Sequence, residues 1–481
     1  MKSSIKAELL KNSALNLMPK AANRNPKRTH PMDYLDTFSS FAANTHYPAL
    51  SSDIQEQVGW ILADTVGAMV AGSAEPELRS LAAKQVPGTA ALLVGLGRSA
   101  PAEVAALING TAGTFLEMDE GNRFSRGHPA IHVIPAALAL SQERGTSAAD
   151  FLSAIVAGYE VGSRLGAASA LRSAMHPHGT WGTIAAAAAC ARIAGMDAKA
   201  MRETINISAS MSTATSKQTM LEGGLVRNVY AGLSNRNGLL ALQLAESGFT
   251  GEHDGLSSLL GKIISDKFDT AGLIEGLGQD WHLMRNYFKL HSCCRYNHGT
   301  LDAIDQLAAQ GTLPAPSEIA RIDVATYNLA AELKDKAPRN TLVAKFSVPF
   351  AVATRLVNGS SALSSFTWEA VRDPAVMALA QKVEVSEDPS MTQRLPLERP
   401  AKVVITLLNG QQVTGEAGVN RGDDAAPYTR DELRHKFMDL TQRVWPAAHA
   451  HDVLEATLQL AALKGSLPEW TALLSQAPKL G

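Results

Sequence analysis

The chain has 481 residues, 46% hydrophobic and 19% charged, with a formal net charge of −2. That length predicts two or three domains. The near-neutral balance excludes the basic face of a dedicated nucleic-acid binder, and no apolar run reaches the roughly 18 residues of a membrane span.

Residues 1–31 carry many Lys and Arg, one acid (Glu8) and no apolar secretory core, which predicts a basic, disordered tail. From 34 to 282 nearly everything reads as helix. In "ADFLSAIVAGYEVGSRLGAAS" apolar residues recur at helical spacing, with Ala and Gly for close contacts. Ser147 is its expected N-cap, with Asp150 three positions on as an acidic variant of the capping box. "TIAAAAACARIAG" and "RNVYAGLSNRNGLLALQLAESGF" read as further helices closed by Gly195 and Gly248. After about 285, "RIDVATYN" and "QKVEVSED" read as strands, and "AKVVITLLNGQQVTGEA" as a hairpin with Asn409-Gly410 as a two-residue turn. Helix returns at "YTRDELRHKFMDLTQRVW" and "HDVLEATLQLAAL". The expected fold is mainly α: an all-helical domain (32–284 and 421–481) interrupted by a smaller α+β lid domain (285–420).

"ALLVGLGRSAPAEVAAL" has the outline of a dinucleotide fingerprint, Gly95-x-Gly97-x-x-Ala100. No second strand–helix unit follows, so a tight turn feeding a helix is the better reading. Cys190, Cys293 and Cys294 are the three cysteines. They make no disulfide framework, fall short of the four thiolates of an ordinary iron–sulfur cluster, and predict a reducing, cytoplasmic setting.

The densest polar run is "EMDEGNRFSRGHPAIH" at 117–132. Pro129 suits the first turn of a helix, leaving His128 at its N-cap. His132 shares a helix face with His128, but position 129 is proline, so the glutamate of a zinc-protease helix is absent. His176 lies in "MHPHGTWGT", a loop ahead of a helix near Trp181 whose free N–H groups favour an anion. His178, two residues on, is the weaker candidate. Lys217 sits in a Ser/Thr-rich loop with no carboxylate before Glu222, and Lys289 and Arg295 bracket "LHSCC". Adjacent thiols fit one tetrahedral zinc poorly, so this segment reads better as a polar pocket lining.

Four segments occur in order: "GHPAIHVIPAALALSQERGTSAADFLSAIVAGYEVGSRLG", "HPHGTWGTIAAAAACARIAGMD", "SKQTMLEGGLVRNVYAGLSNRNGLLALQLAESGFTG" and "FKLHSCCRYNHGTLDAIDQL". Together they resemble the MmgE/PrpD family of 2-methylcitrate dehydratases, cis-aconitate decarboxylases and iminodisuccinate epimerases. The resemblance spans about 34–478. It implies a helical domain with an α+β lid, a homodimer, and a pocket between the domains. It implies no metal, cluster or nucleotide cofactor. Carried over by motif, Asp119, His128, His176, Lys217, Lys289 and His298 line the pocket, and Cys294 falls where some decarboxylase-like members place a histidine. Dehydratase-like members carry Asp-x-Asp-Asp-Thr; this chain keeps Asp119 but has Gly121, Asn122 and Arg123, which favours a more anionic or differently oriented substrate.

The chemistry so implied is proton transfer at a carbon next to a carboxylate, in a small di- or tricarboxylic acid. His128 and His176 are expected as the acid/base pair, with Asp119 orienting one of them. Lys217, Lys289 and Arg123 hold substrate carboxylates, with Cys294, Arg295 and His298 beside them. Lyase chemistry, dehydration or decarboxylation, is the leading expectation. An epimerase and a non-catalytic carboxylate binder are the alternatives.

Overall fold

Small residues at helical spacing let helix backbones approach closely, and the centre of the molecule is built that way. A computed structural model describes residues 33–479, so the 1–31 tail lies outside the described residues. Helices Ala102–Phe115, Pro129–Arg144, Ala148–Ala168, Trp181–Ile193 and Tyr230–Glu246 pack on one another. A Cβ on Gly232 would stand 2.3 Å from the Leu107 carbonyl oxygen, so only glycine permits that crossing. Ser147 Oγ accepts from Asp150 N at 3.1 Å, as the capping reading requires. Gly145, Gly195 and Gly248 take left-handed φ of 64°, 68° and 85° and end their helices.

The Pro129–Arg144 helix is buried from Pro129 to Ser141 and contains Pro135. Proline has no N–H, so the carbonyl one turn earlier, that of Ile131, loses its helical partner. Asn235 repairs the break. Its Nδ2 donates to Ile131 O at 2.8 Å, and its Oδ1 accepts from Ala136 N at 2.9 Å.

The fold is mainly α with a small α+β part. There, strands run Gln412–Ala417, Ala401–Leu407, Ile319–Thr326, Val383–Glu387 in spatial order, antiparallel except for the last, parallel pair. Ile322, Val324, Val403 and Ile405 alternate into a core shared with Leu301, Ile304 and the Val348–Asn358 helix. The hairpin corrects the two-residue turn. Leu407 N donates to Gln411 O, Gly410 N donates to Leu407 O, and Gly410 has φ 85°, which makes a three-residue loop with glycine at its left-handed end. Helices Arg430–Thr441 and Ala447–Ala461 pack on Ser52–Gly72.

Three two-stranded pairs were not legible in the helical stretch, because segments of two to four residues show no alternation. One of them pairs Ala91–Leu93 with Arg98–Ala100, and Gly95 and Gly97 turn between them with φ 77° and 63°. The apparent nucleotide fingerprint is this hairpin. Among the described residues, no helix is long and apolar enough to cross a membrane.

Candidate active site

A cavity of about 310 Å³ opens where the helical segments meet the α+β part. His128, His176, Lys217, Cys294 and Arg295 line it, all expected from sequence. Asp119, Lys289 and His298 do not; they stand behind the lining.

Pro129 opens its helix and His128 is the N-cap residue, which turns the ring out of the helix. His128 Nδ1 lies 2.9 Å from Asp119 Oδ2 and 2.7 Å from the Glu120 carbonyl oxygen. Both neighbours are acceptors, so Nδ1 carries the hydrogen and the Nε2 lone pair is left for the cavity. Burial alone would raise the Asp119 carboxyl; the His128 ring and the Lys289 ammonium outweigh it and hold Asp119 well below the usual carboxylate range. Lys289 is fully buried, donates to Glu117 O at 2.9 Å, and lies 3.6 Å from both the Glu117 and Asp119 carboxylates. Burial opposes its charge, but those two carboxylates prevail and its pKa is raised. Lys289 therefore fixes Asp119 and Glu117 instead of gripping a ligand.

His176 has the opposite tautomer. Its Nδ1 accepts from His178 N at 3.0 Å, so the neutral ring carries its hydrogen on Nε2. Burial first, then Arg227 and His128, keep its pKa well below the usual value. It is thus a neutral hydrogen-bond donor, which corrects its expected role as a partner in proton exchange. His178 also lines the cavity, edge-to-face with His128 at 4.8 Å and His176 at 5.0 Å. His132 is fully buried behind it, 4.9 Å from His178 between centroids.

Three further expectations change. Arg123 does not reach the cavity: it pairs with Asp424 at 2.9 Å and Asp423 at 3.4 Å, because two acids beside the returning helices neutralise it. His298 has no exposure; its Nδ1 accepts from Arg295, and its Nε2 lies 3.3 Å from the Cys293 carbonyl oxygen. Arg295 is held by Asp423 at 2.9 Å and lies over Tyr287. The Cys294 thiol is pushed up to about 11 by burial, so it lines the wall as an uncharged group.

Lys217 begins a short helix, Lys217–Leu221, capped by Ser216. Its ammonium pairs with Glu332, which also lines the cavity. Sequence reasoning missed Arg227 and Arg399. Arg227 is buried and pairs with Glu117; Arg399 is buried, with its Nη1 unbonded among the described residues. A lone arginine within "LVRNVYAG" was the only signal for Arg227, and Arg399 stands in irregular backbone just before the Ala401–Leu407 strand. Glu117 and Arg126, both on the lining, have φ of 56° and 54°. Such backbone is costly for residues with side chains and gathers at functional sites.

The helical scaffold with its small α+β part thus carries a cavity lined by imidazole, ammonium and guanidinium groups. Family models for the MmgE/PrpD N-terminal domain and C-terminal domain match residues 36–261 and 291–461. The chain belongs to the MmgE/PrpD family. It is 25% identical to a cis-aconitate decarboxylase of Aspergillus terreus over 464 residues, covering 89% of this chain and 93% of that protein. A cis-aconitate decarboxylase-like protein of Aspergillus oryzae is 24% identical over 465 residues, 89% of this chain and 94% of its own. A mouse cis-aconitate decarboxylase is 24% identical over 357 residues, 70% of this chain and 71% of its own.

Proposed function

We propose that the chain is a lyase acting on a small di- or tricarboxylic acid by proton transfer at a carbon next to a carboxylate, with decarboxylation of a cis-aconitate-like substrate as its leading reaction. One observation carries the reading: His128 and His176 sit on one cation-lined cavity with opposite hydrogens, an Nε2 lone pair on one and an Nε2–H on the other. The names of the relatives support decarboxylation.

Arg399, Lys217 and Arg227 hold the substrate carboxylates. In decarboxylation the His128 Nε2 lone pair first takes up a proton, and the charge on the ring is balanced by Asp119. The bond to the departing CO₂ breaks, and its electron pair moves through the neighbouring double bond to the carbon beside a second carboxylate. The proton on His128 Nε2 passes to that carbon. His176 Nε2–H steadies the negative charge on the carboxylate oxygens as it develops. In dehydration His128 instead enters neutral and removes the proton, the freed electron pair forms the double bond as the C–O bond to the β-hydroxyl breaks, and His128 returns its proton to that oxygen, which leaves as water. Each step uses side chains of this chain and calls for no cofactor. We extend the proposal to a cytoplasmic homodimer, supported by three free, buried cysteines and by the family resemblance.

The test is a panel of cis-aconitate, 2-methylcitrate and four-carbon dicarboxylates, followed for released CO₂, for loss of water and for change of optical rotation. Release of CO₂ or water supports the lyase. Inversion alone makes the chain an epimerase, and tight binding with no reaction makes it a carboxylate binder.

A further inference from the structure

A second cavity, of about 880 Å³, lies behind the first. The two share a wall, and neighbouring residues face opposite ways. Leu116 and Met118 line the larger cavity, while Glu117 between them lines the smaller. Lys345 lines the larger and Phe346 the smaller.

Lys345 is 3% exposed, and among the described residues its ammonium has no hydrogen bond or ion pair. The other nearby cations are engaged. Lys436 donates to Asp64 and to Met118 O, and Arg443 binds Ala71 O and Glu75. Burial drives the Lys345 amine down to about 8, outweighing the nearby Glu75 and Glu117 carboxylates, neither of which bonds to it. Much of the remaining wall is apolar, with Leu290, Leu363, Phe366 and Leu440. The lining also carries Glu75, which Arg443 binds, and Glu369, Glu432 and Asp439, which repel a second negative group.

We infer that this cavity is a second ligand site, taking an amphipathic carboxylate with a single charged head on Lys345 and its apolar body against Leu290, Phe366 and Leu440. Its chemistry is the reverse of the first cavity, where several cations suit several carboxylates. The inference does not depend on the reaction proposed above. The position of Lys345 also ties the two sites together: its carbonyl accepts from Cys294 N and from Asn297 Nδ2, both at 2.9 Å, and Cys294 lines the first cavity.

Isothermal titration of the full chain with octanoate, and with 1-octanol as the uncharged control, tests it. The expected result is one octanoate per chain, bound at least tenfold more weakly by Lys345→Met and by Leu363→Trp. Leu363→Trp narrows the same cavity and leaves Lys345 in place, so it decides the matter if Lys345→Met does not fold by thermal melting. Binding of 1-octanol should be weaker than that of octanoate. The inference is overturned if wild type binds no octanoate, if both variants bind it as wild type does, or if 1-octanol binds equally well.

Discussion

The Nδ1 atoms of His128 and His176 decide what each ring can do. Asp119 and the Glu120 carbonyl take the hydrogen of one, and the His178 amide gives a hydrogen to the other. His176→Ala should cut turnover by at least about a hundredfold, the usual worth of a donor aimed at developing charge, with an unchanged melting temperature. Asp119→Asn keeps an acceptor near His128 but removes the charge that balances a protonated ring. Turnover should fall about 10²-fold or more, in the range of lost acid–base assistance. His132 adds a pH dependence. Burial pulls its pKa down to about 3 from 6.5, so the unfolded chain takes up the proton first as pH falls. Stability is intact above about pH 6.5 and lost progressively towards pH 3, at about 1.4 kcal/mol per pH unit for this one group. Melting curves between pH 7 and pH 4 should show a smaller fall in His132→Gln than in wild type.

Two elements meet at the mouth of the first cavity. The Lys217–Leu221 helix presents its lysine to Glu332, just past the Asn328–Ala331 helix. A substrate carboxylate must displace Glu332 from Lys217. Glu332→Gln is therefore expected to lower KM for a polycarboxylate several-fold with little change in kcat, and Lys217→Met to raise it. Deeper in, the Pro135 break makes Asn235 a structural necessity. Asn235→Leu leaves a buried donor and acceptor unpaired and should cost about 2–6 kcal/mol in a denaturant titration, taking about 1–3 kcal/mol for each orphaned group.

Helices, caps and strands were legible because periodicity, Ser147, the closing glycines and alternating Val/Ile residues act locally. His128, His176, Lys217 and Cys294 reached the cavity as their motifs implied, and Arg295 as the polar segment around "LHSCC" suggested. Arg123 did not, because its partners Asp423 and Asp424 lie some 300 residues away, and sequence does not show that charge is already neutralised. Arg399 was invisible for the mirror reason: a lone arginine becomes an anion ligand only when folding leaves its Nη1 unbonded.

At the scale of the whole molecule, two cavities share the wall of residues 116–118 and 345–346. Linkage makes any coupling between them reciprocal. If octanoate changes the affinity for cis-aconitate by some factor, cis-aconitate must change that for octanoate equally, and titrations in either order should agree. Assembly is a separate question. Light scattering on the eluted peak should give twice the mass of one chain, and a single-chain mass would remove the homodimer. The claim on which most depends is that His128 moves a proton at a carbon beside a carboxylate. Proton NMR of cis-aconitate with enzyme in D₂O tests it most directly. Wild type should place one deuterium on that carbon as CO₂ leaves, and His128→Gln, folded, should do so at least a hundredfold more slowly. Undiminished deuterium transfer by His128→Gln would contradict the account.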